Sequence, residues 1–149
     1  MTRVYCCIPK PKPMLLRLFS TAVSAGFPSP ADDYLEAHLD LNRYLINRPE
    51  STFFMRFEGE PMLECGLREG DLMIVDRFIA PEDKKIVVAS IDGELVVRRL
   101  RIRGKRFQLV AENPDIKTIS INKDSEFEIW GVITFTIRHH LFSSNLQCH

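Results

Sequence analysis

From Thr52 to Ile137 the apolar residues arrive in short runs closed by turn-forming residues, and that punctuation is the strongest constraint on the fold. Phe53-Phe54-Met55-Arg56-Phe57, Leu72-Met73-Ile74-Val75 and Ile86-Val87-Val88-Ala89 read as strands. Asp92-Gly93, set between Ile91 and Glu94-Leu95-Val96-Val97, is a two-residue hairpin signal, because both residues tolerate positive φ. Arg103-Gly104-Lys105 makes the next turn, leading into Phe107-Gln108-Leu109-Val110, and Asn113-Pro114-Asp115 forms a loop. Phe127 to Ile137 supplies a last long strand around Trp130 and Gly131. Many short strands at this spacing predict a mostly β fold, a compact domain of short antiparallel strands without internal repeats.

Residues 1–30 read differently. Pro9, Pro11, Pro13, Pro28 and Pro30 remove donors and fix φ, so the segment is an extended arm that is flexible or lies on a neighbouring surface. Asp32 to Arg48 has helical character in two short pieces, with Asp40 as a cap for Leu41 to Ile46 and Pro49 as the stop. The expected organisation is therefore an arm over 1–30 and a β domain over 31–149. With 149 residues and 45% hydrophobic content, the chain suits one domain with a real core.

Composition excludes several function classes. Net charge is zero, which gives no global pull toward nucleic acid or anionic membrane. No stretch approaches the ~20 apolar residues of a membrane span. Lys10, Lys12 and Arg17 before Ala22-Val23-Ser24-Ala25 imitate a secretion signal, but Arg17, Ser20, Thr21 and Ser24 interrupt its apolar stretch. Cys6, Cys7, Cys65 and Cys148 form no C-x-x-C pair and read as free thiols in a reducing cytoplasm. No cofactor and no metal site is expected: His139-His140 and Cys148-His149 lack ligand spacing.

Five segments then carry a resemblance over most of the chain: Ala25-Gly26-Phe27-Pro28-Ser29-Pro30, Asp40-Leu41-Asn42, Glu69-Gly70-Asp71-Leu72-Met73-Ile74-Val75-Asp76, Asp92-Gly93-Glu94-Leu95 and Ile129-Trp130-Gly131-Val132. Together they resemble the UmuD/LexA family of self-cleaving proteins, whose fold is a β domain of the LexA and signal-peptidase type. The Ala-Gly-Phe-Pro-Ser-Pro opening is of the UmuD-like kind. Only 25 residues precede Gly26, so a DNA-binding helix-turn-helix domain of the repressor kind is not expected. The resemblance marks Ala25–Gly26 as the cleavage bond. It places the serine nucleophile at position 61 and the lysine base at position 98.

Here those positions hold Pro61 and Arg98. Proline offers neither a hydroxyl to attack nor an amide N–H to support an oxyanion. Arginine stays protonated and cannot serve as the base. The catalytic dyad is thus degenerate, while the frame around it and the cleavage bond are kept. Alternation along the strand puts Val96, Arg98, Leu100 and Ile102 on one face and Arg99, Arg101 and Arg103 on the other. Arg98 in an apolar row needs a carboxylate partner, a cleft, or a route by which its guanidinium reaches solvent. Arg99, Arg101 and Arg103 form a candidate basic patch, or simply a solvated strand face.

Two functions follow as expectations. The resemblance implies an SOS-response accessory subunit of an error-prone translesion polymerase of the polymerase V type. Its partners would be a UmuC-like Y-family polymerase, the RecA filament, and a second copy or an active UmuD-like protein in a dimer, with DNA reached mainly indirectly. The alternative is a serine-peptidase-family protein still matured at Ala25–Gly26, in trans, by an active homologue. Dimerisation is also expected from Phe127–Ile137, since a long apolar strand left at an exposed edge invites pairing.

Overall fold

The computed structural model describes residues 5–6, 12–19, 35–59, 62 and 65–141. In chain order the elements are β1 (Tyr5–Cys6), β2 (Leu16–Phe19), β3 (Leu35–Leu39), α1 (Leu41–Leu45), β4 (Thr52–Arg56), β5 (Leu72–Asp76), β6 (Ile86–Ile91), β7 (Glu94–Arg103), β8 (Arg106–Val110), β9 (Ile119–Ser120) and β10 (Phe127–Ile137). The expected mostly β fold is what forms. Eight strands make one sheet in the order β1-β4-β5-β10-β6-β7-β8-β9, every pairing antiparallel.

The turns follow their residues. Asp92 and Gly93 both adopt positive φ, 48° and 87°, which matches the right-handed twist of the flanking strands and pins the β6–β7 register at Ile91↔Glu94. Gly104, at φ 59°, opens the two-residue turn between Arg103 and Arg106.

Two expectations are corrected. The first half of the helical stretch is a strand: Leu35–Leu39 pairs with Leu16–Phe19 as an antiparallel ladder, Leu16↔Leu39 to Phe19↔Leu35. Leu-Glu-Ala-His-Leu has fair helix propensity, but a pairing partner outweighs propensities of a few tenths of a kcal/mol per residue. The second half is helical as expected. Asp40 caps α1 by accepting the Asn42 N–H at 3.1 Å. The other correction concerns β10. It is no exposed edge but the centre of the sheet, bonded to β5 on one side and β6 on the other. Its apolar character on both faces is therefore met within the chain, and the premise of an edge seeking a partner falls.

Both faces of that sheet are covered. Neighbours along a strand point to opposite sides, so Val88, Val97 and Ile133 join a cluster around Met55, Phe57, Met62, Met73 and Val75. Val87, Val96 and Val132 join a second cluster with Ala89, Leu100 and Leu109. This explains why the sequence runs are continuous rather than alternating. Gly131 lets β10 and β5 close up: a Cβ there would stand 2.6 Å from Val75 Cγ1. It also sits where the β10–β6 register slips by one residue, after Ile129.

The backbone divides into two compact units, Met1–Cys7 with Arg48–His149, and Ile8–Asn47. The first contains the eight-stranded sheet, including the short β1, where Tyr5 pairs with Phe54. The second contains the β2–β3 ladder and α1, with Met14, Leu15 and Leu16 largely exposed. Among the described residues no helix is long and apolar enough to cross a membrane.

Candidate functional site

Strand β7 delivers Arg98 to the site. It pairs with Val87 and shares its face with Val96, Leu100 and Ile102, all members of or packed against the second core cluster. The guanidinium is half-buried, and its Nε is sealed from solvent without a hydrogen-bond partner. Nη1 donates to the carbonyl of Val97 at 2.7 Å, a bond to its own strand. No carboxylate among the described residues pairs with it, and burial alone pushes its pKa below the ordinary arginine value. Beside it lies a cleft of about 300 Å³ between the end of β4 and the start of β7. Met55, Phe57, Met73, Val88 and Val97 make its apolar wall, with Glu58 exposed at the same cleft. Arg98 is one of the residues that line this cleft.

The segment after β4 approaches the same cleft. Phe57 N–H donates to the Asp71 carbonyl at 2.9 Å and Gly70 N–H to the Phe57 carbonyl at 2.8 Å, which ties residue 57 to residues 70 and 71. Glu60 and Pro61, as well as the Ala25–Gly26 bond, lie outside the described residues. Met62, the next residue, is fully buried in the first core cluster. Its sulfur accepts the Glu112 N–H at 3.5 Å, and its carbonyl accepts the Cys65 N–H at 3.3 Å. Cys65 is half-buried there and its Sγ donates to that same carbonyl at 3.2 Å. The thiol packs in the loop as a small core side chain.

The far end of the loop is held by a clamp that sequence reading missed. Asp71, 2% exposed, accepts Arg138 Nε at 2.8 Å and Nη2 at 2.6 Å in a two-pronged pair. Its Oδ2 also accepts the Arg68 N–H at 2.9 Å, and Arg138 Nη2 reaches the Gly66 carbonyl. The hydrogen bonds from Arg138 hold the Asp71 carboxyl below the usual aspartate range, against the opposing effect of burial, and Asp71 in turn raises Arg138. Asp71 belongs to a motif visible in the sequence, but its partner stands 67 positions later, where no local pattern marks it.

The outward arginines of β7 have company. Arg99 pairs with Glu112, and Arg103 with Asp83 at 3.2 Å. Asp83 also accepts the Ile102 N–H at 2.7 Å, and that bond, ahead of the attraction of Arg103 and Arg101, lowers its pKa. The positive charge of this face is locally offset by acids. His139 and His140 line a depression shared with Arg56, Arg68 and Arg138 and with the acids Glu69 and Asp71. Among the described residues no group of three His, Cys, Asp or Glu side chains is placed to hold a metal ion. Cys148 and His149 lie outside the described residues.

What this arrangement offers chemically is a desolvated cation in an apolar cleft, next to a tightly anchored loop. A permanently charged arginine takes no proton from a nucleophile. Residues 17–134 match the model of a family described as Peptidase S24-like. The chain is 45% identical over 121 residues to Protein ImpA of Escherichia coli, covering 80% of this chain and 81% of that protein. It is 47% identical over 117 residues to Protein SamA of Salmonella typhimurium, covering 78% and 81%. Against Protein MucA of Escherichia coli the identity is 40% over 119 residues, covering 79% and 81%.

Proposed function

The chain belongs to the Peptidase S24-like family, and we propose that it works as a UmuD-like accessory subunit of an error-prone Y-family DNA polymerase, with its own proteolytic chemistry lost. The observation that carries this reading is the combination of a UmuD-type frame along the chain with Pro61 and Arg98 at the positions that the resemblance gives to nucleophile and base. Similarity to ImpA, SamA and MucA over about four-fifths of the chain supports the UmuD-like branch. The desolvated Arg98, with no carboxylate partner among the described residues, supports a cleft descended from a site that once needed a buried base.

On this reading the protein is cytoplasmic, dimerises with itself or with an active UmuD-like protein, and meets the RecA filament and a UmuC-like polymerase. DNA is reached through those partners, since two of the three outward arginines of β7, Arg99 and Arg103, are already paired with Glu112 and Asp83. The unchanged Ala25–Gly26 bond favours one second reading: the arm is still removed, in trans, by an active homologue. A serine-lysine site on another chain supplies both groups that this one lacks.

The test is size-exclusion co-elution of the purified protein with a UmuC-like polymerase. The expected result is a stable shared peak. Separate elution at micromolar concentrations of both would overturn the accessory-subunit reading.

A further inference from the structure

Strand β7 carries Arg99, Arg101 and Arg103 on one face, and its register with β8 fixes what stands beside them. Arg101 lies opposite Gln108, which in turn lies opposite Ser120 on β9, so one polar row crosses three strands. The next row sets Arg103 directly opposite Arg106, with Lys105 in the turn between them. Like charges directly opposite on a sheet destabilise it, so stability offers no reason for this pair. The acids on this face stop short of neutralising it. Arg99 has Glu112 and Arg103 has Asp83, but among the described residues Arg101, Lys105 and Arg106 form no ion pair. Asp83 engages Arg103 through Nη1 alone, on a side chain that is 65% exposed, so the remaining donors stay open to a partner.

We propose that the outer face of the β7–β8 hairpin, built on Arg101, Arg103 and Arg106, is a docking surface for an extended acidic segment of a partner protein. Charge complementarity selects an anionic partner, and the planar fork of arginine favours carboxylates. The spacing selects an extended one. Arg101 and Arg103 stand two residues apart on a strand, roughly 7 Å, and an extended chain repeats its side chains on one face at that same interval. A segment with Asp or Glu at alternate positions therefore meets successive arginines. The carboxylate is also the anion that this face already accepts, from Glu112 and Asp83. Nucleic acid fits less well. Single-stranded bases need a stacking platform, and Phe107 alternates to the opposite face, where its ring meets Phe127. A net charge of zero adds no long-range pull on a phosphate backbone. The inference goes beyond the accessory-subunit reading and stands on the hairpin alone.

Fluorescence anisotropy with the full chain at neutral pH and low ionic strength tests it, using three labelled peptides. One alternates glutamate with serine, one holds the same residues with the glutamates in a single block, and one has glutamine for glutamate. Saturable binding of the alternating peptide is expected. The block peptide should bind severalfold more weakly, since half of its carboxylates then point away, and the glutamine peptide should not bind. Arg101→Gln with Arg106→Gln should weaken the alternating peptide roughly tenfold, whereas Lys12→Gln with Arg43→Gln, which removes the same charge from the other unit, should leave it unchanged. Urea midpoints establish that the variants are folded, and the contrast among peptides on the unaltered chain decides the matter even if one is not. Absence of saturable binding, or an equal loss in both double variants, would overturn the surface. Equal binding of the alternating and block peptides would overturn the extended register. Tighter binding of a single-stranded oligonucleotide of equal charge would overturn the choice of a protein partner.

Discussion

The double variant Pro61→Ser with Arg98→Lys should acquire slow cleavage between Ala25 and Gly26, where the natural sequence is expected to give none. The expected gain is large because both halves of the mechanism return together. Removing a serine nucleophile from a hydrolase costs on the order of 10⁶-fold. The cleft supplies the other requirement: the desolvation that lowers the pKa of Arg98 acts in the same direction on a lysine at that position and favours its neutral, basic form. Cleavage should therefore speed up as pH rises through the lysine's pKa, as expected of a base that works only when deprotonated. Pro61→Ser alone lacks a base, and Arg98→Lys alone lacks a nucleophile, so each single variant should stay inert. Intact mass spectrometry across a pH series reads all three. Equal cleavage by one single variant, or a cut at another bond, would show that 61 and 98 are not the dyad positions.

The second large effect belongs to the clamp. Arg138→Ala leaves the buried Asp71 carboxylate without its counter-ion, a change that destabilises the folded state. Its urea midpoint at neutral pH should fall accordingly, whereas Arg103→Ala, whose side chain is 65% exposed, should barely move it. The acid limb gives an independent reading. The folded-state pKa of Asp71 is depressed below its unfolded value, so the pair's contribution is complete above the ordinary aspartate pKa. It is lost as pH falls through the depressed folded value. Asp71→Asn removes that titration, and its stability should change less with pH in this acid range than the natural chain's. An unchanged urea midpoint for Arg138→Ala would mean that the clamp is a surface contact without energetic weight.

What the sequence made legible follows from how local the determining contacts are. Asp92-Gly93 encodes its hairpin in two residues, and the structure repeats that turn with both φ angles positive. Phe127–Ile137 was readable as a strand, with the bounds observed. Its place in the centre of the sheet was not, because an apolar strand between two neighbours and one facing a partner molecule have the same pattern. Leu35–Leu39 misleads for a related reason: its partner β2 lies across a long connection, and only pairing makes it a strand. At the site, alternation along β7 put Val96, Leu100 and Ile102 on one face, and all three belong to or pack against one core cluster. It gave no hint that Nη1 of Arg98 would turn to the Val97 carbonyl and leave Nε without a partner. The Asp71–Arg138 pair spans 67 positions, and nothing in a window of the sequence marks such a contact.

The central claim is that this chain keeps the frame of a self-cleaving protein without its chemistry. Incubation with RecA, nucleotide and single-stranded DNA, followed by intact mass, tests it most directly. The expected result is an unchanged species of 17.2 kDa after prolonged exposure, with loss of the first 25 residues only when an active homologue is added. Appearance of a product beginning at Gly26 from the purified chain alone would contradict the account.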